Sequence, residues 1–331
     1  MYGQPLTASA AEPGVAYQWL RAGAPVPGAT APTYTPGLDD LDRPLAVQVT
    51  DATGSTISAP TAPVARATMT ATRQRVLGEP RWTHTLKARP GRFSAPDPDV
   101  SYRWPDGSTA RTYAVRPGDV GHRLALEVTA EAPGYDPLTV TVRTAQVAHR
   151  IDVRRTVRYH VETRGRITTS LREFRRQAQE TYDDPRGWRS SGIRFVPVAR
   201  GGAFTLVLAE ASYLPRFSSG CSAEWSCRVG RFVIINQERW KHASPAWNAA
   251  HLALRDYRHM VVNHETGHWL GLGHAQCPGP GRLAPVMQQQ SKGLQGCRFN
   301  PFPTEREIAG RTPRGRAMAY ALARDYSPDV E

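Results

Sequence analysis

The chain has 331 residues, of which 21% are charged, and a formal net charge of +13. That length exceeds the roughly 100–200 residues of one domain and predicts two or three separately cored units. The charge does not describe a nucleic-acid surface, because the basic residues are almost all Arg, with Lys only at 87, 241 and 292, and they form no stripe interleaved with aromatics. No apolar run approaches the roughly 18 residues of a membrane span, and Met1-Tyr2-Gly3 begins no signal peptide.

An internal repeat organises the first half. Tyr17-Gln18-Trp19 is answered by Tyr102-Arg103-Trp104, and Thr33-Tyr34 by Thr112-Tyr113. The stretch from Asp40 to Thr50 aligns with that from Asp119 to Thr129. Within each copy apolar residues alternate, as Leu45, Val47, Val49 and Leu124, Leu126, Val128, the period of half-buried strands. Pro and Gly clusters separate the runs, and one Trp per copy is available to fill a core. Two small all-β sandwiches over 1–68 and 69–149 are therefore expected. They resemble the immunoglobulin-like repeats common on actinobacterial surface proteins, which implies spacer or adhesive modules.

From residue 152 onward the pattern becomes mixed. Val157 to Thr163, Ile193 to Val198, Phe204 to Ala209 and Phe232 to Asn236 read as strands, with a polar crossover helix over Ser170 to Tyr182. A second helix is predicted to start at the N-cap Ser244 with Pro245 in its first turn. It is expected to run through Leu254, Tyr257, Val261, His264 and His268, which share one face. Thr304 and Glu307 have capping-box spacing, and Ala317 to Tyr326 reads as a closing helix.

Four cysteines, Cys221, Cys227, Cys277 and Cys297, fall in the last third as two local pairs. Their spacings do not match the short Cys-x-x-Cys knuckles of structural zinc sites, so disulfides and an oxidising compartment are expected. Local pairing of 221 with 227 and of 277 with 297 is favoured among the three connectivities that four cysteines allow.

The chemistry concentrates in His264-Glu265-Thr266-Gly267-His268-Trp269-Leu270-Gly271-Leu272-Gly273-His274. Histidines four apart stack on one helical face and can converge on one ion about 2.0–2.1 Å away. A ligand ten positions on would be about 15 Å distant on a straight helix, so the chain must turn, and Gly271 stands where the turn is required. Three neutral imidazoles leave one position of a tetrahedral Zn2+ open to water, the catalytic pattern, and Glu265 is placed to act as general base. The histidines at 84, 122, 149, 160, 242, 251 and 259 show no comparable spacing.

These eleven residues match the metzincin signature His-Glu-x-x-His-x-x-Gly-x-x-His at every specified position. Residues 152–331 thus resemble a metzincin-type zinc metallopeptidase, in particular an uncharacterised actinobacterial family of secreted metzincin-like domains. The resemblance implies an α+β metzincin-like zincin domain, and with the two repeats the expected chain is multidomain, two all-β immunoglobulin-like sandwiches followed by that domain. It also implies that Pro285-Val286-Met287 is the methionine turn, with Met287 an apolar base beneath the metal that does not ligate it. Gln289 stands where some relatives carry a tyrosine, so no transition-state helper is assigned. The family's mode of binding implies an extended peptide on an edge strand, either Phe204 to Ala209 or the region from Cys221 to Asn236.

The expected function is a secreted or cell-surface zinc endopeptidase acting on protein or cell-wall peptides. Two alternatives use the same sequence: an inactive surface-binding protein with a zinc-binding domain, and a zinc amidase acting on cell-wall peptides.

Overall fold

The computed structural model describes residues 1–10 and 14–309. The chain divides into two compact units, Met1–Val147 and Ala148–Glu331.

The first unit holds the two sequence repeats. In the first repeat, strands β1 (Leu6–Thr7), β2 (Ala16–Arg21), β3 (Ala24–Pro25), β4 (Thr33–Tyr34), β5 (Leu45–Asp51) and β6 (Gly54–Ile57) make a sheet of order β3-β2-β5-β6 and a pair β1-β4. In the second, β7 (Ala71–Thr72), β8 (Arg75–Leu77), β9 (Thr85–Arg89), β10 (Arg92–Phe93), β11 (Asp99–Arg103), β12 (Thr112–Ala114), β13 (Arg123–Glu131) and β14 (Leu138–Gln146) follow. They form sheets β11-β13-β14 and β12-β9-β8 and a pair β10-β7. All these pairings are antiparallel, and those between consecutive strands, β2-β3, β5-β6, β8-β9 and β13-β14, are joined directly.

The repeat is physical as well as textual. Trp19 and Trp104 are both buried, and their indole N–H groups donate to Ala31 O at 3.0 Å and Ala110 O at 2.9 Å. Each stacks on a tyrosine, Tyr34 or Tyr113, whose hydroxyl donates to Asp40 at 2.8 Å or Asp119 at 2.9 Å. An indole needs a polar partner when buried, and a carbonyl in the bend just ahead of β4 or β12 supplies it.

The second unit contains β15 (Arg155–Arg164), α1 (Leu171–Asp183), β16 (Ile193–Pro197), β17 (Phe204–Ala209), β18 (Cys227–Val229), β19 (Phe232–Asn236), α2 (Gln237–His242), α3 (Pro245–Ala249), α4 (Leu254–Trp269) and α5 (Glu305–Ala309). The sheet order is β16-β15-β17-β19-β18, parallel except for the antiparallel edge strand β18. β17 reads Phe-Thr-Leu-Val-Leu-Ala without alternation because both of its faces are covered, and all six residues are buried. Phe204, Leu206, Leu208, Val233 and Ile235 share a core with Tyr182 and Phe174 of α1 and with Tyr257 and Val261 of α4. That packing holds α4 to the sheet.

The expected fold class needs correction. Two immunoglobulin-like sandwiches followed by an α+β metzincin-like domain do not describe the molecule, which is mostly β-sheet with few helices, 20% helical. The metzincin-like part of that expectation rests on eleven residues, which dictate a helix, a turn and a ligand set but not the layers around them, and a repeat with alternating apolar residues dictates strands but not how they pack. The expectation also overcounted helix. The element expected from Ser244 to His268 is interrupted. Ser244 does cap α3, accepting the Trp247 N–H, but α3 stops at Ala249 and His251 turns left-handed at φ 54°. α4 then starts afresh with Ala253 as its cap. The helix expected at Ala317 to Tyr326 lies outside the described residues.

Among the described residues no helix is long and apolar enough to cross a membrane.

Candidate metal centre and active site

His264, His268 and His274 come together, with one ligand atom from each within 4.8 Å of the others. The first two sit one turn apart on α4 and are 0% exposed, whereas His274 is exposed at the rim. α4 ends between them in a Schellman turn. Leu272 N–H donates to Gly267 O at 3.0 Å and Gly271 N–H to His268 O at 2.9 Å, with Gly271 at φ 88°. A residue with a Cβ is strained at that φ, so glycine is what lets the chain reverse and bring His274 back.

Each helical imidazole is oriented by a backbone carbonyl. His264 Nδ1 lies 2.7 Å from Val286 O and His268 Nδ1 2.9 Å from Leu272 O. A carbonyl only accepts, so both Nδ1 atoms carry the proton, and in the neutral rings both Nε2 atoms present lone pairs. Those two Nε2 atoms are 3.0 Å apart. Two lone pairs at that distance repel unless a cation lies between them. A tetrahedral zinc 2.0–2.1 Å from each would hold them ~3.3 Å apart, so the donor set fits that ion. Burial, with His268 close by, holds the His264 imidazole well below its ordinary range, which keeps its ring neutral.

Glu265 follows the first histidine and is 0% exposed. Around it α4 is pinned from several sides. The Trp188 indole N–H donates to Asn263 O at 2.9 Å, Asn263 Nδ2 donates to Pro301 O at 2.9 Å, and the Tyr182 and Thr266 hydroxyls are 2.9 Å apart.

Met287 is buried at 1% exposure directly against this helix. A Cβ built on Gly267 would meet its Sδ at 2.2 Å, so the turn of α4 between the two buried histidines sits on the methionine. The loop carrying Met287 is fixed from behind by Glu307. Its carboxylate accepts the N–H groups of Val286 at 3.1 Å and Met287 at 2.8 Å, besides the Thr304 N–H at 2.7 Å. Two buried amides complete the support. Gln290 Nε2 donates to Pro285 O at 3.1 Å and Asn300 Nδ2 to Ala284 O at 2.9 Å.

Both local disulfides are present, Cys221–Cys227 and Cys277–Cys297, and the second brackets the Met287 loop. Gln289 is half-buried and lines a pocket of about 140 Å³ with His274, Gln288 and Lys292. Of the two segments expected to supply an edge strand, Phe204–Ala209 is internal, between β15 and β19, whereas the region from Cys221 to Asn236 contributes β18 at one of the two sheet edges, the other being β16. Arg228 of β18 donates from Nη2 to His268 O at 3.0 Å, which sets that edge beside the end of α4.

Sequence reasoning missed three parts of this arrangement. Gly267 carried a signal, since a glycine in a helix interior costs about 1 kcal/mol relative to alanine and points to a close approach. Glu307 was legible as a cap but not as the partner of a loop twenty residues earlier. Asn300 carried no signal at all.

No curated protein matches the chain. Similar solved structures include the amphioxus IgVJ-C2 molecule, 14% identical, covering 44% of this chain and 97% of that one at a TM-score of 0.22. The tandem Ig repeats of Dlar are 15% identical over 40% of this chain and 81% of that one, at 0.16. Scores of this size do not establish a shared fold. Residues 138–317 match the family described as "Protein of unknown function (DUF3152)", a stretch that contains every residue of the histidine cluster and its supports. The match spans more than half of the chain, which therefore belongs to the DUF3152 family.

Proposed function

We propose that the second unit is a zinc-dependent peptidase, secreted or at the cell surface, that hydrolyses peptide bonds with Glu265 as general base. The observation that carries the reading is the pair of buried imidazoles whose Nδ1 atoms are committed to carbonyls and whose Nε2 atoms face each other at 3.0 Å, with His274 completing a three-nitrogen cluster. Its signature resembles that of the metzincin peptidases, and the two disulfides favour an oxidising compartment.

His264, His268 and His274 hold the ion, and the carbonyls of Val286 and Leu272 keep the first two rings in the correct tautomer. Zinc bound there supplies Lewis-acid polarisation of the scissile carbonyl and brings the pKa of water down to around 7. Glu265 takes a proton from the attacking water as its oxygen bonds to the carbonyl carbon. It returns that proton to the amide nitrogen as the C–N bond breaks, so an acid and an amine leave. β18 offers the backbone groups of a sheet edge, along which an extended substrate can align.

The test is zinc content of the full chain, and cleavage of a mixed peptide library, for the wild type beside Glu265→Gln. The expected result is one zinc per chain in both proteins, with cleavage only by the wild type and lost on chelation. Absence of zinc would sink the metal site, and zinc without cleavage would sink the peptidase.

A further inference from the structure

On the His274 side, the pocket beside the histidine cluster has an uneven charge. His274 shares this pocket of about 140 Å³ with Gln276, Gln288, Gln289, Lys292 and Gln295. Amides and one ammonium line it, and no carboxylate does. The imbalance extends along the chain, since from Ala275 to Thr304 the sequence holds Arg282, Lys292 and Arg298 but no Asp or Glu.

The backbone of Lys292 is fixed on both sides. Ahead of it, Ser291 is buried, and its hydroxyl lies 3.0 Å from that of Tyr257 on α4. Gln290, also buried, donates from Nε2 to Pro285 O at 3.1 Å and to Asn300 O at 2.8 Å. Behind it, Gln288 Nε2 donates to Leu294 O at 2.9 Å, and the Lys292 N–H itself donates to Gln289 O at 3.0 Å. Lys292 is thereby tied to the helix that carries His264 and His268, while the residue stays exposed beside the pocket.

An exposed lysine is ordinarily left to solvent, but two features set this one apart. No carboxylate pairs with its ammonium among the described residues. It also stands close enough to the ligands that its charge, behind burial and His268, opposes protonation of His264. The charge of the centre adds to the effect. A divalent ion on three neutral imidazoles is only half offset by the Glu265 carboxylate, and Lys292 contributes a further positive charge next to it. A cleft with this sign of potential draws anions. Amide N–H groups and an ammonium are also the donors that a carboxylate accepts, in its shorter, charge-assisted bonds.

We propose that this pocket recognises a carboxylate of the bound polypeptide, with Lys292 as the residue that determines specificity, so that acidic substrates are preferred. The inference rests on the peptidase reading of the metal centre. The carboxylate belongs to an Asp or Glu side chain or to a free chain end, which present the same anion to Lys292.

The test uses three labelled decapeptides: alternating Gly-Glu with an amidated C-terminus, alternating Gly-Gln with an amidated C-terminus, and alternating Gly-Gln with a free one. Alternation keeps the varied side chain within reach of the pocket in more than one register. Binding to the zinc-loaded full chain carrying Glu265→Gln, which leaves the probes intact, is read by fluorescence anisotropy. The Gly-Glu peptide is expected to bind at least about tenfold tighter than amidated Gly-Gln, and Lys292→Gln to remove that advantage. The same Lys292-dependent advantage in the free-ended Gly-Gln peptide alone would identify the chain end as the carboxylate recognised. Arg143→Gln, which removes one positive charge from β14 in the first unit, is expected to leave the advantage intact.

Equal binding of all three peptides overturns the proposal, and so does an advantage that survives Lys292→Gln. An advantage lowered as much by Arg143→Gln overturns it too, because net charge would then be drawing the peptide. Wild-type cleavage of the same peptides separates this inference from the reading beneath it. Cleavage with no preference for a carboxylate sinks the role of the pocket and keeps the peptidase. Lys292-dependent binding without cleavage sinks the peptidase and keeps carboxylate recognition.

Discussion

The Glu307 carboxylate accepts the backbone N–H of Met287 at 2.8 Å and that of Val286 at 3.1 Å, and the Val286 carbonyl in turn receives the Nδ1–H of His264 at 2.7 Å. A carboxylate on the short helix α5 thereby sets the orientation of the His264 imidazole on α4. Outer partners of this kind are typically worth 10–100-fold in metal affinity.

Glu307→Ala is therefore expected to weaken zinc binding by about tenfold or more. A chelator-competition titration reads this directly. Unchanged affinity would show that Val286 O stays in place without the carboxylate.

Gly267→Ala separates two opposed effects. Alanine in an exposed helix interior gains about 1 kcal/mol over glycine. Here its Cβ would meet Met287 Sδ at 2.2 Å and Trp188 Cζ2 at 3.0 Å, and forcing extra volume into a packed core costs about 1–3 kcal/mol. Net destabilisation is expected in urea unfolding, and Met287→Ala in the same chain should relieve part of it. Stabilisation by Gly267→Ala alone would mean that the methionine moves aside at little cost.

The Cys277–Cys297 bridge joins positions 20 apart and the Cys221–Cys227 bridge positions 6 apart. Loop-closure entropy assigns about 3 kcal/mol to the longer loop and about 2 kcal/mol to the shorter. Replacing both cysteines of one pair by serine should lower stability in that order. Loss of the longer bridge should also weaken zinc binding, because it frees the Met287 loop. Equal zinc affinity with and without it would restrict the bridge to a stabilising role.

Asp40 gives the first repeat a dependence on pH. Burial opposes its ionisation, but the Arg21 guanidinium at 2.6 Å, the Tyr34 hydroxyl at 2.8 Å and the Gly37 N–H at 2.6 Å outweigh it and hold its carboxyl below the usual range. A carboxyl whose folded value is depressed contributes stability that is complete above its unfolded value near 4, and that stability fades as pH falls through the folded value. Thermal melts of the wild type and Asp40→Asn should accordingly differ most at pH 6 and converge below about pH 4. A difference that persists into strong acid would assign the effect to packing rather than charge.

Much of the site was legible because its geometry is local. Two histidines four apart, a glycine at the helix end and a third histidine three residues beyond it are fixed by helical periodicity and by the backbone freedom of Gly271. The strands at Phe204–Ala209 and Phe232–Asn236 were equally plain, since their apolar runs have no other use. The long helix from Ser244 was overread. Its apolar face begins only at Leu254, α3 stops at Ala249 before the left-handed His251, and the Trp247 indole N–H donates across the break to Ala253 O at 3.2 Å.

Sequence by itself determined the repeat, which is written in the residues, and the order of histidines, glutamate and glycine, which depends on neighbours within one or two turns of chain, and it favoured the local cysteine pairs. The tertiary structure alone decided that the chain is mostly β-sheet, that β18 lies at a sheet edge while Phe204–Ala209 is internal, and that Glu307 holds the Met287 loop. Each of these depends on contacts between segments distant in the chain, where packing selects the partner and no periodicity records the choice.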